Sequence, residues 1–353
     1  MKILQITNYY YPNIGGIEVV ARCLSKSFAE IGGVEQKVIC MNNGENKTVK
    51  DLVDDVEIIR CKSPIKIASQ SLSRDYPQLL KEVLESFNPD VVILHWPNPF
   101  TAYFLMRYAS RDFKFIVYWH SDIIKQKILR IMFNGLTERM LRRADLILAT
   151  SPNYIEGSTF LSGVREKCKV LSCCVDEDKL CVTEDILNRA NSIRKENDNK
   201  IICFAFGRDV PYKGLDYLRK AEKILDKNIK VIIGHKLSQQ DLIAHLLACD
   251  IFCFPSITKN EAFGIGLAEG MYFERPTVTF TIPGSGVNYV SINAVTGIEC
   301  ENRNTKQYAD AIEKLALDPI LRERLGKNAK ARVEKLFLYK HFKENVQKII
   351  SLL

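Results

Sequence analysis

Pro255-Ser-Ile-Thr-Lys-Asn-Glu-Ala-Phe-Gly-Ile-Gly-Leu-Ala-Glu-Gly-Met271 is the stretch whose reading decides the fold. It follows an apolar run, Asp250-Ile-Phe-Cys-Phe254, with the length and character of a buried parallel strand. A polar loop comes next, then residues of helical character. The order is therefore strand, loop, helix N-terminus. Glu261 stands in the loop, and Glu269 is read about two turns into the helical segment. Phe263, Gly264 and Ile265 fall at the helix start, where backbone N–H groups lack partners and the helix dipole is positive. An anion is favoured there. Carboxylates on either side of an anion site suit a ligand with phosphate in the middle and hydroxyls at both ends. A nucleotide sugar has that chemistry.

The surrounding chain is consistent with a two-domain α/β protein. Its 353 residues exceed one ordinary core, and 46% hydrophobic with 26% charged residues is a globular composition. The longest apolar stretch, 91–106, is broken by His95, Pro97, Asn98 and Pro99, so it is too short to span a bilayer. Met1-Lys2-Ile3-Leu4 leads straight into a strand pattern, unlike a signal peptide. Eleven cysteines scattered through apolar runs, with no C-x-x-C pair, read as reduced core thiols of a cytoplasmic protein. The vicinal Cys173-Cys174 reads as packing. The net charge of +8 is uneven: 107–143 holds nine Lys/Arg against three Asp/Glu. No aromatics interleave there as a stacking platform, so an anionic membrane surface is the expected partner of that region and nucleic acid is not.

The first half opens with a strand over 2–8, then the loop Tyr9-Tyr-Tyr-Pro-Asn-Ile-Gly-Gly16, then a helix over 17–31. Gly15 and Gly16 let backbone approach a ligand closely, although G-x-G-x-x-G is absent. Strands follow over 36–41, 56–61, 89–94 and 113–119, with a helix over 75–87. The last of these strands ends in His120-Ser-Asp122, at the carboxyl edge where open α/β sheets bind ligands. Asp122 is placed either to orient His120 or to meet an acceptor. Residues 123–143 alternate apolar and basic positions, which fits a membrane-surface helix or a core-facing helix equally.

After strands over 145–150 and 169–174, Asp176-Glu-Asp178 has the D-x-D spacing of a metal site. No helix pattern supports that use, and no metal is expected. The second half opens with Ile201-Ile-Cys-Phe-Ala-Phe206 and Gly207-Arg208-Asp-Val-Pro-Tyr-Lys213-Gly214. Arg208 and Lys213 beside a helix N-terminus form a diphosphate clamp. Strands over 228–234 and 276–280, a loop over 282–286 and helices to the C-terminus complete the pattern.

Glu261-Ala-Phe-Gly264 with Glu269 resembles the E-x-F-G-x-x-x-x-E signature of glycosyltransferase family 4, and Gly207 to Gly214 matches its G-R-x-x-x-x-K-G. The resemblance covers nearly the whole chain. It implies the retaining GT-B fold, two doubly wound Rossmann-like domains facing across a cleft. The expected domains are 1–178, on the acceptor side, and 179–338, binding the donor, with a last helix over 339–353 returning to the first. By resemblance, Glu261 binds hydroxyls of the donor sugar and Glu269 the ribose. Gly15 and Gly16 face the diphosphate, and His120 touches the sugar near its reacting carbon.

The implied reaction is same-face transfer from a nucleotide diphosphate sugar, without metal or other cofactor. His120-Ser-Asp122 and Gly284-Ser-Gly-Val-Asn288 resemble bacterial surface-polysaccharide enzymes most. A lipid-linked oligosaccharide acceptor at the inner face of the cytoplasmic membrane is therefore expected, with GDP-mannose the favoured donor. One βα unit of the family pattern is missing near 226–238, which leaves UDP and GDP open. The competing expectations are a GT-B nucleotide-sugar 2-epimerase and a non-enzymatic sugar-binding protein.

Overall fold

A computed structural model describes residues 1–67, 70–108, 112–123 and 127–353, with backbone only over 127–132. The chain forms two compact units. The first comprises Met1–Thr150, Ser158–Leu171 and Phe342–Leu353; the second comprises Ser151–Gly157 and Ser172–His341.

In chain order the first unit runs β1 (Lys2–Ile6), α1 (Gly16–Ile31), β2 (Glu35–Asn43), β3 (Val49–Val53), β4 (Val56–Ser63), β5 (Ile65–Ile67), β6 (Gln70–Leu72), α2 (Tyr76–Phe87), β7 (Val91–Trp96), α3 (Pro99–Tyr108), β8 (Lys114–Trp119), α4 (Lys127–Arg143) and β9 (Leu146–Ala149). The short α5 (Pro152–Gly157) belongs to the second unit, and β10 (Cys168–Val170) returns to the first. Eight strands form one sheet in the order β10-β9-β8-β7-β1-β2-β4-β3. Only β3 is antiparallel, at the edge. β7 is buried at every position, which is why its sequence is apolar without alternation.

The second unit continues with α6 (Glu184–Glu196), β11 (Ile201–Phe206), α7 (Leu215–Glu222), β12 (Ile229–Gly234), α8 (Gln239–Ala248), β13 (Ile251–Phe254), α9 (Ile265–Tyr272), β14 (Thr277–Phe280), α10 (Val287–Val290), β15 (Gly297–Cys300), α11 (Thr305–Leu317) and α12 (Pro319–Leu336), while α13 (Tyr339–Ile350) begins in this unit and from Phe342 onward belongs to the first. Its five strands are all parallel, in the order β12-β11-β13-β14-β15. A single strand, β12, occupies the span around 226–238 where the family pattern has more.

Three features differ from the sequence reading. The units part at 171/172 rather than after 178, because Val175 pairs with Leu338 and Glu177 accepts from the Tyr339 N–H, all within the second unit. β3 and the β5–β6 hairpin carry too few alternating apolar residues to stand out alone. α3 begins at Pro99, whose ring is tolerated in a first helical turn although prolines read as breakers.

Candidate active site

Each sheet reverses its strand order once, between β1 and β7 in the first unit and between β11 and β13 in the second. Loops leaving neighbouring strands in opposite directions open a crevice at their carboxyl ends, the usual ligand site of such sheets.

In the second unit the loops after β11 and β13 bring Lys213 and Glu261 together. Lys213 Nζ lies 2.5 Å from Glu261 Oε2, with the side chains 18% and 12% exposed. Ser256 Oγ donates to the same carboxylate oxygen at 3.1 Å, and Ser285 Oγ donates to the Glu261 carbonyl. The ammonium also sits 5.1 Å from the centre of the Phe254 ring. Burial, the largest single influence, pulls Lys213 down, but the charge and hydrogen bond of Glu261 together with Tyr212 outweigh it and leave the ammonium above its ordinary value. Gly214 locks the turn. Its φ is +63°, and a Cβ there would lie 2.0 Å from the Pro255 carbonyl. Lys213 is thereby pressed onto the start of the 255–271 stretch. Arg208, on the same loop, is exposed and donates to the Tyr212 hydroxyl at 3.4 Å. It stands at the rim rather than inside the cluster.

α9 starts at Ile265 because Gly264 has φ 93° and ψ 67°, a left-handed conformation that ends helical geometry on its N-terminal side. The N–H groups of Phe263, Gly264, Ile265 and Gly266 reach no acceptor among the described residues. Four open donors and the absence of an acidic residue in the first turn make this end receptive to an anion. Glu269 lies one turn into the helix, not two, because the helix begins only at Ile265. Burial pushes the Glu269 carboxyl up to about 7, opposed by the charge of Lys179. Its side chain has no hydrogen-bond partner among the described residues.

Glu269 has a pH signature. Its folded pKa is raised above the unfolded value of 4.5, so its contribution to stability is fully present below that value and is lost as pH rises through about 7. Glu269→Gln therefore stabilises the unliganded chain by about 1–3 kcal/mol at about pH 8 and by little at about pH 4.5. Thermal melts at both pH values check this; equal shifts at the two would refute it.

In the first unit, the strands flanking the reversal hold a buried chain of polar groups. Gln5 Nε2 donates to Ser25 Oγ at 2.7 Å, Gln5 Oε1 is 2.9 Å from His95 Nε2, and His95 Nδ1 is 2.9 Å from His120 Nε2. The two imidazoles stack with centroids 5.2 Å apart, and the Tyr118 ring lies 4.3 Å from His120. Burial lowers His95 to about 3. Burial, then the proximity of His95, takes His120 well below its ordinary value. The orienting partner of His120 is thus His95 and not Asp122. Asp122 Oδ1 instead accepts from Trp119 Nε1 at 3.0 Å and Ser158 Oγ at 2.7 Å.

Gly15 and Gly16 sit at the start of α1, where the Glu18 carboxylate lies over Gly15 and leaves the space at Gly16 open. A Cβ on Gly15 would meet Glu18 Oε2 at 2.3 Å. A negative group thus stands beside Gly15, so an anion approaches that residue only if Glu18 swings away, whereas Gly16 stays open. Arg60, 5% exposed, braces the preceding loop by donating to the carbonyls of Tyr10 and Tyr11.

Asp176 of the D-x-D pair is salt-bridged to Lys179 at 2.9 Å. No group of three or more His, Cys, Asp or Glu suited to a metal occurs among the described residues. The amphipathic reading of 123–143 rests largely on residues 124–126 and side chains 127–132, which lie outside the described residues. His95, Gln5, Glu18, Ser256 and Ser285 escaped the sequence reading. His95 carried a usable signal: it ends the apolar run 91–94 just as His120 ends 115–119.

Comparison with known proteins gives two family matches: the family described as Glycosyltransferase Family 4 over residues 14–179, and Glycosyl transferases group 1 over 225–332. The O-antigen chain mannosyltransferase C of Escherichia coli is 28% identical, across 97% of this chain and 95% of its own. A D-rhamnosyltransferase of Pseudomonas aeruginosa is also 28% identical, across 96% and 92%. Among solved structures, sucrose-phosphate synthase of Thermosynechococcus elongatus superposes with a TM-score of 0.80 at 16% identity, covering 99% and 98% of the two chains. Anabaena HepE, described in complex with UDP and glucose, gives 0.77 at 16% identity over 100% of both.

Proposed function

The chain belongs to glycosyltransferase family 4, and on that premise we propose that it moves a sugar, with retention of configuration, from a nucleotide diphosphate sugar to a hydroxyl of a lipid-linked oligosaccharide in surface-polysaccharide synthesis. It is an enzyme, a glycosyltransferase with the GT-B fold, so the non-enzymatic alternative falls away. The observation that carries the proposal is the Lys213–Glu261 pair set beside the open N–H groups of α9. The donors at the helix start and Lys213 stabilise the diphosphate as negative charge grows on the leaving oxygen. Glu261, fixed by Lys213 and Ser256, accepts hydroxyls of the sugar.

Glu269, desolvated and without a partner, accepts the ribose hydroxyls. Arg208 adds charge at the rim. His120 contacts the sugar, and the leaving phosphate takes the acceptor's proton on the same face. The protein supplies positioning and charge stabilisation. With cationic and N–H groups in these roles, the reaction is proposed to need no metal or cofactor.

GDP-mannose is the proposed donor, supported by the mannosyltransferase among the relatives. The neighbour described with UDP makes the base the point to test. No helix among the described residues is long and apolar enough to cross a membrane. The basic surplus over 107–143 is the proposed contact with an anionic membrane surface, which places the enzyme on its cytoplasmic face.

The test is thermal shift against GDP-mannose, UDP-glucose, GDP and UDP, followed by turnover of the binder with EDTA present. GDP-mannose at 100 times its dissociation constant stabilises the fold by about 2.7 kcal/mol, whereas the uridine compounds give no shift, and turnover survives EDTA. A shift with UDP-glucose alone would refute the donor. Activity lost to EDTA and restored by Mn²⁺ would refute the metal-free mechanism.

A further inference from the structure

The chain from Ser25 to His120 has a direction set by the orientation of the Gln5 amide. Gln5 Nε2 donates to Ser25 Oγ, which turns its carbonyl Oε1 toward His95 Nε2. A carbonyl oxygen only accepts, so His95 carries its hydrogen on Nε2. Both imidazoles are buried, at 1% and 6% exposure, and each is neutral with a single N–H. His95 Nδ1 therefore presents a lone pair to His120 Nε2, which must donate to it. The hydrogen of His120 is thus committed inward.

We propose that Gln5 and His95 are positioning residues that hold His120 as its Nε2–H tautomer, leaving Nδ1 as a hydrogen-bond acceptor for a hydroxyl of the donor sugar. The contact with the sugar rests on the reading of His120 given above; the tautomer does not. The arrangement is built into the fold at three levels. Gln5 lies on β1 and His95 on β7, the strands on either side of the order reversal, while His120 follows β8. Ser25, on α1, fixes the amide from outside the sheet. Stacking of His120 between neighbours at 5.2 and 4.3 Å holds the ring plane, so only the hydrogen's position remains to be set. A hydroxyl donating to Nδ1 keeps its own oxygen lone pairs available, whereas an Nδ1–H would compete for them. The tautomer thereby selects a sugar hydroxyl that donates toward His120.

The experiment is ¹⁵N NMR of the full chain labelled at its five histidines, with His120 assigned by comparison with His120→Ala. Ring-nitrogen shifts distinguish N–H from a lone pair. Wild type is expected to show His120 protonated on Nε2 and bare on Nδ1. His95→Phe keeps the stacked ring but removes the acceptor, and is expected to give a mixture of tautomers; Gln5→Met, which frees His95 to turn over, serves if the first variant does not fold. With GDP-mannose as probe, His95→Phe lowers kcat about tenfold, the worth of one hydrogen bond, with donor KM little changed. Combined with His120→Ala, it adds no further loss, because it acts only through His120.

A wild-type His120 protonated on Nδ1 would overturn the proposal, since the amide of Gln5 must then be turned the other way. Losses that multiply in the double variant would overturn it as well. Wild-type turnover in His120→Ala, with the Nε2–H tautomer present, would overturn the sugar contact and leave the relay standing.

Discussion

Lys213→Ala lowers turnover about 100- to 1000-fold, the effect of removing one preorganised donor facing charge that grows in the transition state. The ammonium is confined by Glu261 at 2.5 Å and by the Phe254 ring, so it needs no reorganisation as the diphosphate departs. The substitution also leaves the Glu261 carboxylate, 12% exposed, with Ser256 as its remaining side-chain donor. Removing one partner of a largely buried pair costs about 3–5 kcal/mol of stability. The two effects separate in a cycle with Glu261→Ala. The double variant regains part of the lost stability, because no orphaned charge is left, but regains no turnover. Steady-state kinetics at saturating donor and urea unfolding on the same samples measure both. A folded Lys213→Ala enzyme with near-wild-type turnover would remove Lys213 from the mechanism.

Glu261→Ala and Glu269→Ala are expected to fail differently. Glu261 lies ahead of the helix start, among the groups that meet the sugar, and it also aims Lys213. Its loss lowers kcat by about 10- to 100-fold or more, since both orientation and charge placement are disturbed. Glu269 lies four residues beyond Ile265, about 6 Å along α9 from the anion-binding end. That is where a ribose linked to a diphosphate at the helix start falls. A ribose contact is similar in ground and transition states, so Glu269→Ala raises donor KM with kcat nearly unchanged. Kinetics at saturating acceptor decide it. If Glu269→Ala instead lowers kcat at constant KM while Glu261→Ala raises KM, the donor lies along α9 in the opposite direction.

The same two acids show how far a one-dimensional reading reaches. The strand, loop and helix over 251–272 were legible because each is a contiguous run with its own period, and Gly264 marks the break by the one backbone geometry it permits. The Gly207–Gly214 loop was legible for the same reason. Glu269's depth along the helix was misjudged because a loop residue and a helical residue advance the chain by different amounts, and the helix start depends on the φ of Gly264.

By itself the sequence determined the class of fold, two parallel α/β units with apolar strands buried on both faces, and the loops that carry the chemistry. Tertiary structure alone decided which of those groups meet. Lys213 and Glu261 are 48 residues apart and touch because β11 and β13 are neighbours across the reversal of strand order. His120 found its partner in His95 on the adjacent strand rather than in Asp122 two residues away, because consecutive strands of a parallel sheet end side by side while a turn sends nearby residues elsewhere. Glu18 came to lie over Gly15, reversing the charge expected there, through one turn of helix following a residue without a side chain. Strand adjacency arises from the packing of the whole sheet, so no local stretch of the chain encodes it.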